Sequence, residues 1–116
     1  ARCSYTQACN TWFQGLAADA AGTTEFELTA RSMLYHEDTP DIFGCQLINW
    51  IHDESITVGP ADNDRWVHDV ETIQMGCTQV WTPNVLAVAE GAMSIYLSKN
   101  AKAVVNSEGR MVPCDI

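Results

Sequence analysis

Apolar residues at the start of the chain recur every three or four positions, as they do along one face of an α-helix. The stripe consists of Tyr5, Ala8, Cys9, Trp12, Phe13, Leu16 and Ala20. Ser4, with Gln7 three positions later, has the form of a capping box, which satisfies free amides of the first turn. Gly22 is a residue type that commonly ends a helix. The pattern therefore predicts an N-terminal helix that ends near Gly22.

Beyond Gly22 the apolar spacing changes from helical to alternating. Phe26, Leu28, Ala30 and Leu34 alternate with Glu25, Glu27, Thr29 and Arg31, which predicts a strand at residues 25–35 with one solvated face. Further extended segments are predicted at 42–56, 80–88, 93–97 and 101–105, with turns at 36–40, 59–64 and 107–109. Residues 66–73 fit either a strand or an irregular edge. Many short strands with regular turns are typical of a sandwich or barrel. We expect a mainly β fold, a β-sandwich with an N-terminal α-helix, in a single domain over 1–116.

Composition narrows the classes of partner. The chain has 116 residues and a net charge of −9, which argues against nucleic acid and anionic membrane surfaces as partners. No apolar run approaches the roughly 20 residues of a membrane span.

Five cysteines occur in this short chain, namely Cys3, Cys9, Cys45, Cys77 and Cys114. None stands at the C-x-x-C spacing of a zinc or redox site. Disulfides in a secreted, extracellular protein are the better interpretation. Because five is odd, at least one thiol is free or bonded to another chain.

Histidines beside carboxylates are the main candidates for acid–base catalysis or metal binding. They occur in His52-Asp53-Glu54 and in His68-Asp69. Neighbouring residues of a strand point to opposite faces, so these pairs are not expected to converge. The chain also lacks the motifs of a nucleophile elbow, a phosphate loop or a dinucleotide site. We therefore expect no enzyme activity, no cofactor and no metal site.

Several features occur in one order along the chain. Trp50 lies within a predicted strand, Trp81-Thr82-Pro83-Asn84 opens another, and Pro113-Cys114 stands at the end. This order resembles the N-terminal part of the extracellular ligand-binding domain of Cys-loop pentameric receptors and of the acetylcholine-binding proteins. The resemblance implies structural roles for Trp50, Trp81, Pro83 and Cys114.

The same resemblance implies a binding function at the interfaces of a five-membered ring, for a small ligand of cationic type. Val88 and Cys45 stand where the family carries aromatic residues of the ligand cage, and Asn84 replaces the usual aspartate. Because each cation–π contact contributes about 0.5–2 kcal/mol, the loss of two aromatic walls predicts weak binding or none.

The resemblance covers only the first half of such a domain. We therefore expect a second chain to complete it through Cys114, unless Cys114 pairs within the chain. Two other functions stay open at this point. One is a structural or assembly subunit that keeps the ring but has lost ligand binding. The other is an unrelated small secreted disulfide protein.

Overall fold

The computed structural model describes residues 4–51, 54–96 and 101–114, and over these residues the fold is mainly helical. The helices are α1 (Tyr5–Met33), a short 3-10 helix (Pro40–Ile42) and α2 (Arg65–Trp81). Strands β1 (Gln46–Ile51) and β2 (Glu54–Val58) form one antiparallel hairpin, and β3 (Val104–Val105) and β4 (Met111–Val112) form another. The two sheets have two strands each. The prediction of a β-sandwich is therefore wrong.

The start of α1 is confirmed in detail. The Oγ of Ser4 accepts a hydrogen bond from the Gln7 amide at 3.1 Å, and the Gln7 side chain accepts one from the Ser4 amide at 3.0 Å. The helix does not end at Gly22 but continues to Met33, where the Leu34 amide still bonds to the Ala30 carbonyl. A glycine inside a helix lowers its stability without ending it when tertiary packing holds the following turns.

The predicted strand at 25–35 is the second half of α1. Its buried residues follow a row with a spacing of four, namely Ala20, Thr24, Leu28 and Ser32. Two members of the row are polar, and each satisfies its hydroxyl locally: Thr24 donates to the Ala20 carbonyl and Ser32 to the Thr29 carbonyl, both at 2.8 Å. Phe26 lies on the other side of the helix and is 70% exposed.

Residues 66–73, predicted as a strand or an irregular edge, belong to helix α2. Its buried residues are Trp66, Val67, Val70 and Ile73, a spacing that places them on one helical face. The Trp81 indole donates to Thr23 Oγ1 at 3.0 Å, so the end of α2 reaches the middle of α1. The segment predicted as a strand at 80–88 contains the last two residues of α2 and then irregular chain.

The core lies between α2, the second half of α1 and the first hairpin. It contains Leu28, Ile42, Cys45, Trp66, Val67, Val70, Ile73 and Met93. The extended backbone predicted at 42–56 is confirmed for residues 46–51 and 54–56, whereas Ile42 ends the 3-10 helix and the pairing of β1 with β2 as a hairpin was not predicted. The turn predicted at 107–109 is also confirmed, with Gly109 at a φ of 79° that favours glycine. None of the described helices has the length and apolar character needed to cross a membrane.

Candidate functional site

A cleft of about 410 Å³ opens beside strand β2. This volume falls within the range of about 300–1,000 Å³ that is usual for ligand sites. One wall is formed by residues 54–59 and the opposite wall by residues 92–96, with Trp66, Ala101 and Pro113 also in contact with the space.

Each wall of the cleft is formed by a run of consecutive residues, and Ile48 of β1 also lines the space. Every one of the six consecutive residues 54–59 lines the space, and so does every one of the five residues 92–96. A strand that turns one face toward a cavity would contribute only alternate residues. Strand β2 pairs with β1 along its other edge, and no hydrogen bond from β2 to a third strand occurs among the described residues.

The opposite wall is held from behind by the end of the chain. The Cys114 amide donates to the Met93 carbonyl at 2.7 Å, and Ser94 and Cys114 form an isolated parallel bridge. Residues 92–94 therefore have Cys114 on one side and the cleft on the other, and the chain bends at Ile95 and Tyr96, where the Ser94 Oγ accepts the Tyr96 amide at 3.2 Å.

Trp66 forms the rigid floor of the cleft. Its indole is 8% exposed and donates to the Pro60 carbonyl at 2.9 Å. The backbone of Gly59 passes so close that a Cβ there would lie 2.5 Å from Trp66 Cε2. A glycine is required at this approach, and the indole thereby fixes the end of β2 relative to α2.

Asp64 attaches the second hairpin to the start of α2. Its carboxylate accepts hydrogen bonds from Arg110 Nε at 2.8 Å and from the Met111 amide at 2.9 Å. The carboxylate is 5% exposed. The hydrogen bond from Arg110, followed by the one from the Met111 amide, lowers the pKa of Asp64 from 3.8 to about 2. Pro113 and Cys114 follow directly, so Asp64 also sets the position of the cleft's far wall.

We expect the second hairpin to detach in acid. A pKa that is lowered in the folded state stabilises the fold above about pH 4, and this contribution disappears as the pH falls from 4 toward 2. The protection factors of the Asn106 and Met111 amides, which bond to Arg110 and Asp64, should therefore fall over that range more than those of amides in α2.

The variant Asp64→Asn should show rapid exchange in the hairpin already at neutral pH, whereas Asp62→Asn, on an exposed neighbour, should behave as the unmodified chain. Equal protection of the hairpin at pH 6 and pH 2.5 would contradict the role of this carboxylate.

The histidine–carboxylate pairs do not form a reactive centre. His68 is exposed and lies 3.7 Å from Asp64 and 3.3 Å from Glu71. Asp69 faces elsewhere and accepts the amides of Asp41 and Ile42 at 2.9 and 3.1 Å, at the start of the 3-10 helix. His52 and Asp53 lie outside the described residues. Among the residues that are described, no group of three or more His, Cys, Asp or Glu side chains is placed to hold a metal ion.

The residues predicted to be structural have the following positions. Trp50 is in β1 and packs against the core, as expected of a strand tryptophan. Trp81 closes α2 instead of opening a strand, and Pro83 follows the helix on the surface. Cys114 is half-buried beside Ser94. Its bond to a second chain stays a prediction.

Val88 and Cys45, the predicted ligand-facing positions, have different surroundings. Cys45 is buried in the core, where burial raises the pKa of its thiol. Val88 is 68% exposed in the irregular segment after α2. Neither residue lines the cleft. Cys9, Cys45, Cys77 and Cys114 are free thiols in this structure, while Cys3 lies outside the described residues, so the disulfides stay a prediction.

The residue pattern did not lead to a prediction of the cleft. A local signal existed, since Ser55, Thr57 and Ser94 are small polar residues set among Ile56, Val58 and Ile95 in two segments. Nothing in that pattern relates the two segments to each other, because they are almost forty residues apart.

Comparisons with models of protein families, with curated proteins and with solved structures found no match for this chain.

Proposed function

We propose that this chain is a binding protein that takes up an extended peptide segment as an additional strand between β2 and residues 92–96. The observation that carries the proposal is that both walls of the cleft consist of consecutive residues, as backbone edges do. Peptides that add to a sheet edge gain affinity from main-chain hydrogen bonds and specificity from pockets for alternate side chains. Trp66 and Met93 supply an apolar floor for such alternate side chains.

The charges of the cleft favour a basic peptide. Glu54 is the single ionic side chain among the described residues that line the space, and the whole chain has a net charge of −9. An acidic peptide would be repelled, and a lysine beside Glu54 would gain a surface ion pair of about 0.2–1 kcal/mol. The ligand class that fits is an extended peptide with alternating apolar residues and a basic end.

The binding of a small cation between subunits is not carried into this proposal. The resemblance tied that cage to a β-sandwich, and the described residues form two packed helices and two hairpins instead. Absence of enzyme activity stays a prediction of the sequence.

The test uses the peptide Lys-Val-Thr-Val-Thr-Val-Lys, which carries a lysine at each end to serve both strand directions. Binding should be measured by calorimetry, and the affected amides located by NMR. We expect shifts at residues 54–59 and 92–96. Because successive amides of a strand point to opposite sides, N-methylation of either alternate set should weaken binding at least tenfold.

Glu54→Lys provides the charge test, and Glu90→Lys is its matched control, since both residues are exposed and both changes alter net charge equally. Binding should weaken several-fold in the first variant and less in the second. If the N-methylated peptides bind as well as the parent, strand addition is wrong. If only one methylated set weakens binding, the peptide pairs with one edge and does not fill the cleft.

A further inference from the structure

The first half of α1 extends beyond the core without a partner among the described residues. We call residues 5–19 the helix extension. Tyr5 is 86% exposed, Trp12 73% and Phe13 66%. Together with Ala8 and Cys9 they line one shallow apolar surface. Single exposed apolar residues are ordinary, but a contiguous aromatic patch on one helix face marks an interaction surface.

The exposed surface continues the row that packs against α2. The spacing of four that buries Ala20, Thr24, Leu28 and Ser32 runs back through Leu16, Trp12 and Ala8. Helix α1 has 29 residues and α2 has 17. Because Trp81 at the end of α2 bonds to Thr23, α2 covers only the second half of the row. The helix extension is therefore an exposed continuation of this row, which α2 does not cover and to which no other described element is packed.

We infer that the helix extension binds the helix extension of a second copy of this chain, in an antiparallel, two-fold symmetric pair centred on Trp12. Such an isologous contact closes on itself and gives a dimer. In this register Ala8 of one copy faces Leu16 of the other, so a small residue meets a large one on both sides of the axis.

Charge favours a second copy in this orientation. Residues 4–18 contain no Asp, Glu, Lys, Arg or His, although the chain has a net charge of −9. Apart from Asp19 at its end, the helix extension is thus a surface on which two like-charged molecules can meet without bringing like charges into contact. An antiparallel pair also places the two acidic cores at opposite ends, whereas a parallel pair would hold them side by side.

The available area agrees with a dimer of modest affinity. Aromatic side chains bury about 150–250 Å² each, so the three exposed aromatics offer roughly 500 Å² per copy. The total of roughly 1,000 Å² is close to the lower limit of about 1,200 Å² for specific interfaces. We therefore expect a dimer that dissociates on dilution.

Sedimentation velocity over a wide concentration range tests the pairing. The mass should rise from that of the 12.8 kDa monomer toward twice this value. Trp12→Glu should raise the dissociation constant at least tenfold. Phe26→Glu is the matched control, because Phe26 is an equally exposed aromatic residue of α1 that lies outside the helix extension. This variant should dimerise with the same dissociation constant as the unmodified chain.

The orientation is tested by charge pairs, with circular dichroism to verify that each variant keeps its helices. Ala8→Glu and Leu16→Lys should each weaken the dimer, and the double variant should restore it, because unlike charges then face each other across the axis. In a parallel pair the double variant would be the weakest. A chain that stays monomeric at millimolar concentration, a five-membered ring, or an equal loss in Phe26→Glu would overturn the inference. These measurements need no peptide, so their outcome is independent of the cleft.

Discussion

Replacing Trp66 with alanine should destabilise the chain by about 3–5 kcal/mol, as expected for a buried tryptophan in a core. Trp66 is 8% exposed, contacts Gly59 and donates its indole N–H to the Pro60 carbonyl. Its removal leaves a cavity and an unpaired carbonyl, and the end of β2 loses its support on α2. Unfolding in urea, followed by far-ultraviolet circular dichroism, measures the change.

Trp12→Ala is the matched control, since Trp12 is 73% exposed. Measured at concentrations at which the chain is monomeric, its effect should be within about 0.5 kcal/mol. Trp66→Phe keeps an aromatic ring but loses the hydrogen bond to Pro60. Its loss of unfolding free energy should therefore lie between those of Trp66→Ala and Trp12→Ala. A loss of less than about 1 kcal/mol for Trp66→Ala would show that this residue does not belong to the core.

Leu28→Ala should cost about 2–5 kcal/mol, because Leu28 is 1% exposed and lies at the centre of the α1–α2 contact. Phe26→Ala, two positions earlier, should change the free energy of unfolding by no more than about 0.5 kcal/mol, since that side chain is 70% exposed.

This pair of variants distinguishes a helix from a strand at residues 25–35. In a strand, residues 26 and 28 share one face, so both substitutions would be costly or both would be harmless. In a helix they lie about 200° apart, given the roughly 100° between successive residues. Similar losses in the two variants, measured by the same urea titration, would contradict the helical second half of α1.

The resemblance of this chain to a receptor domain depended on single residues in order, and that order did not determine how they pack. Trp50 and Trp81 were both assigned to strands, yet one lies in β1 and the other closes a helix. A tryptophan followed by Thr-Pro suits the end of a helix as well as the start of a strand, because proline cannot continue either ladder. The order of residues alone could not distinguish a helix end from a strand start at Trp81.

Features that depend only on near neighbours in the chain follow from the residue pattern. The capping box of Ser4 and Gln7 closes within three residues, the extended backbone of β1 and β2 lies where the residue pattern predicts it, and the turn at Gly109 needs only its own positive φ. Each of these follows from local hydrogen bonds and backbone preference, so the pattern of residues is sufficient.

Tertiary structure alone decided where α1 ends and where the cleft lies. Alternating Phe26, Leu28, Ala30 and Leu34 fit a strand by period. The competing helical row contains Thr24 and Ser32, and two polar residues make it hard to recognise as a buried face. In the structure both can be buried because their hydroxyls donate to carbonyls of the same helix. Packing against α2 then outweighs the alternation. The cleft requires residues 54–59 and 92–96 to face each other. This depends on the hydrogen bonds from Arg110 and Met111 to Asp64 and from Cys114 to Met93, which join segments distant in sequence.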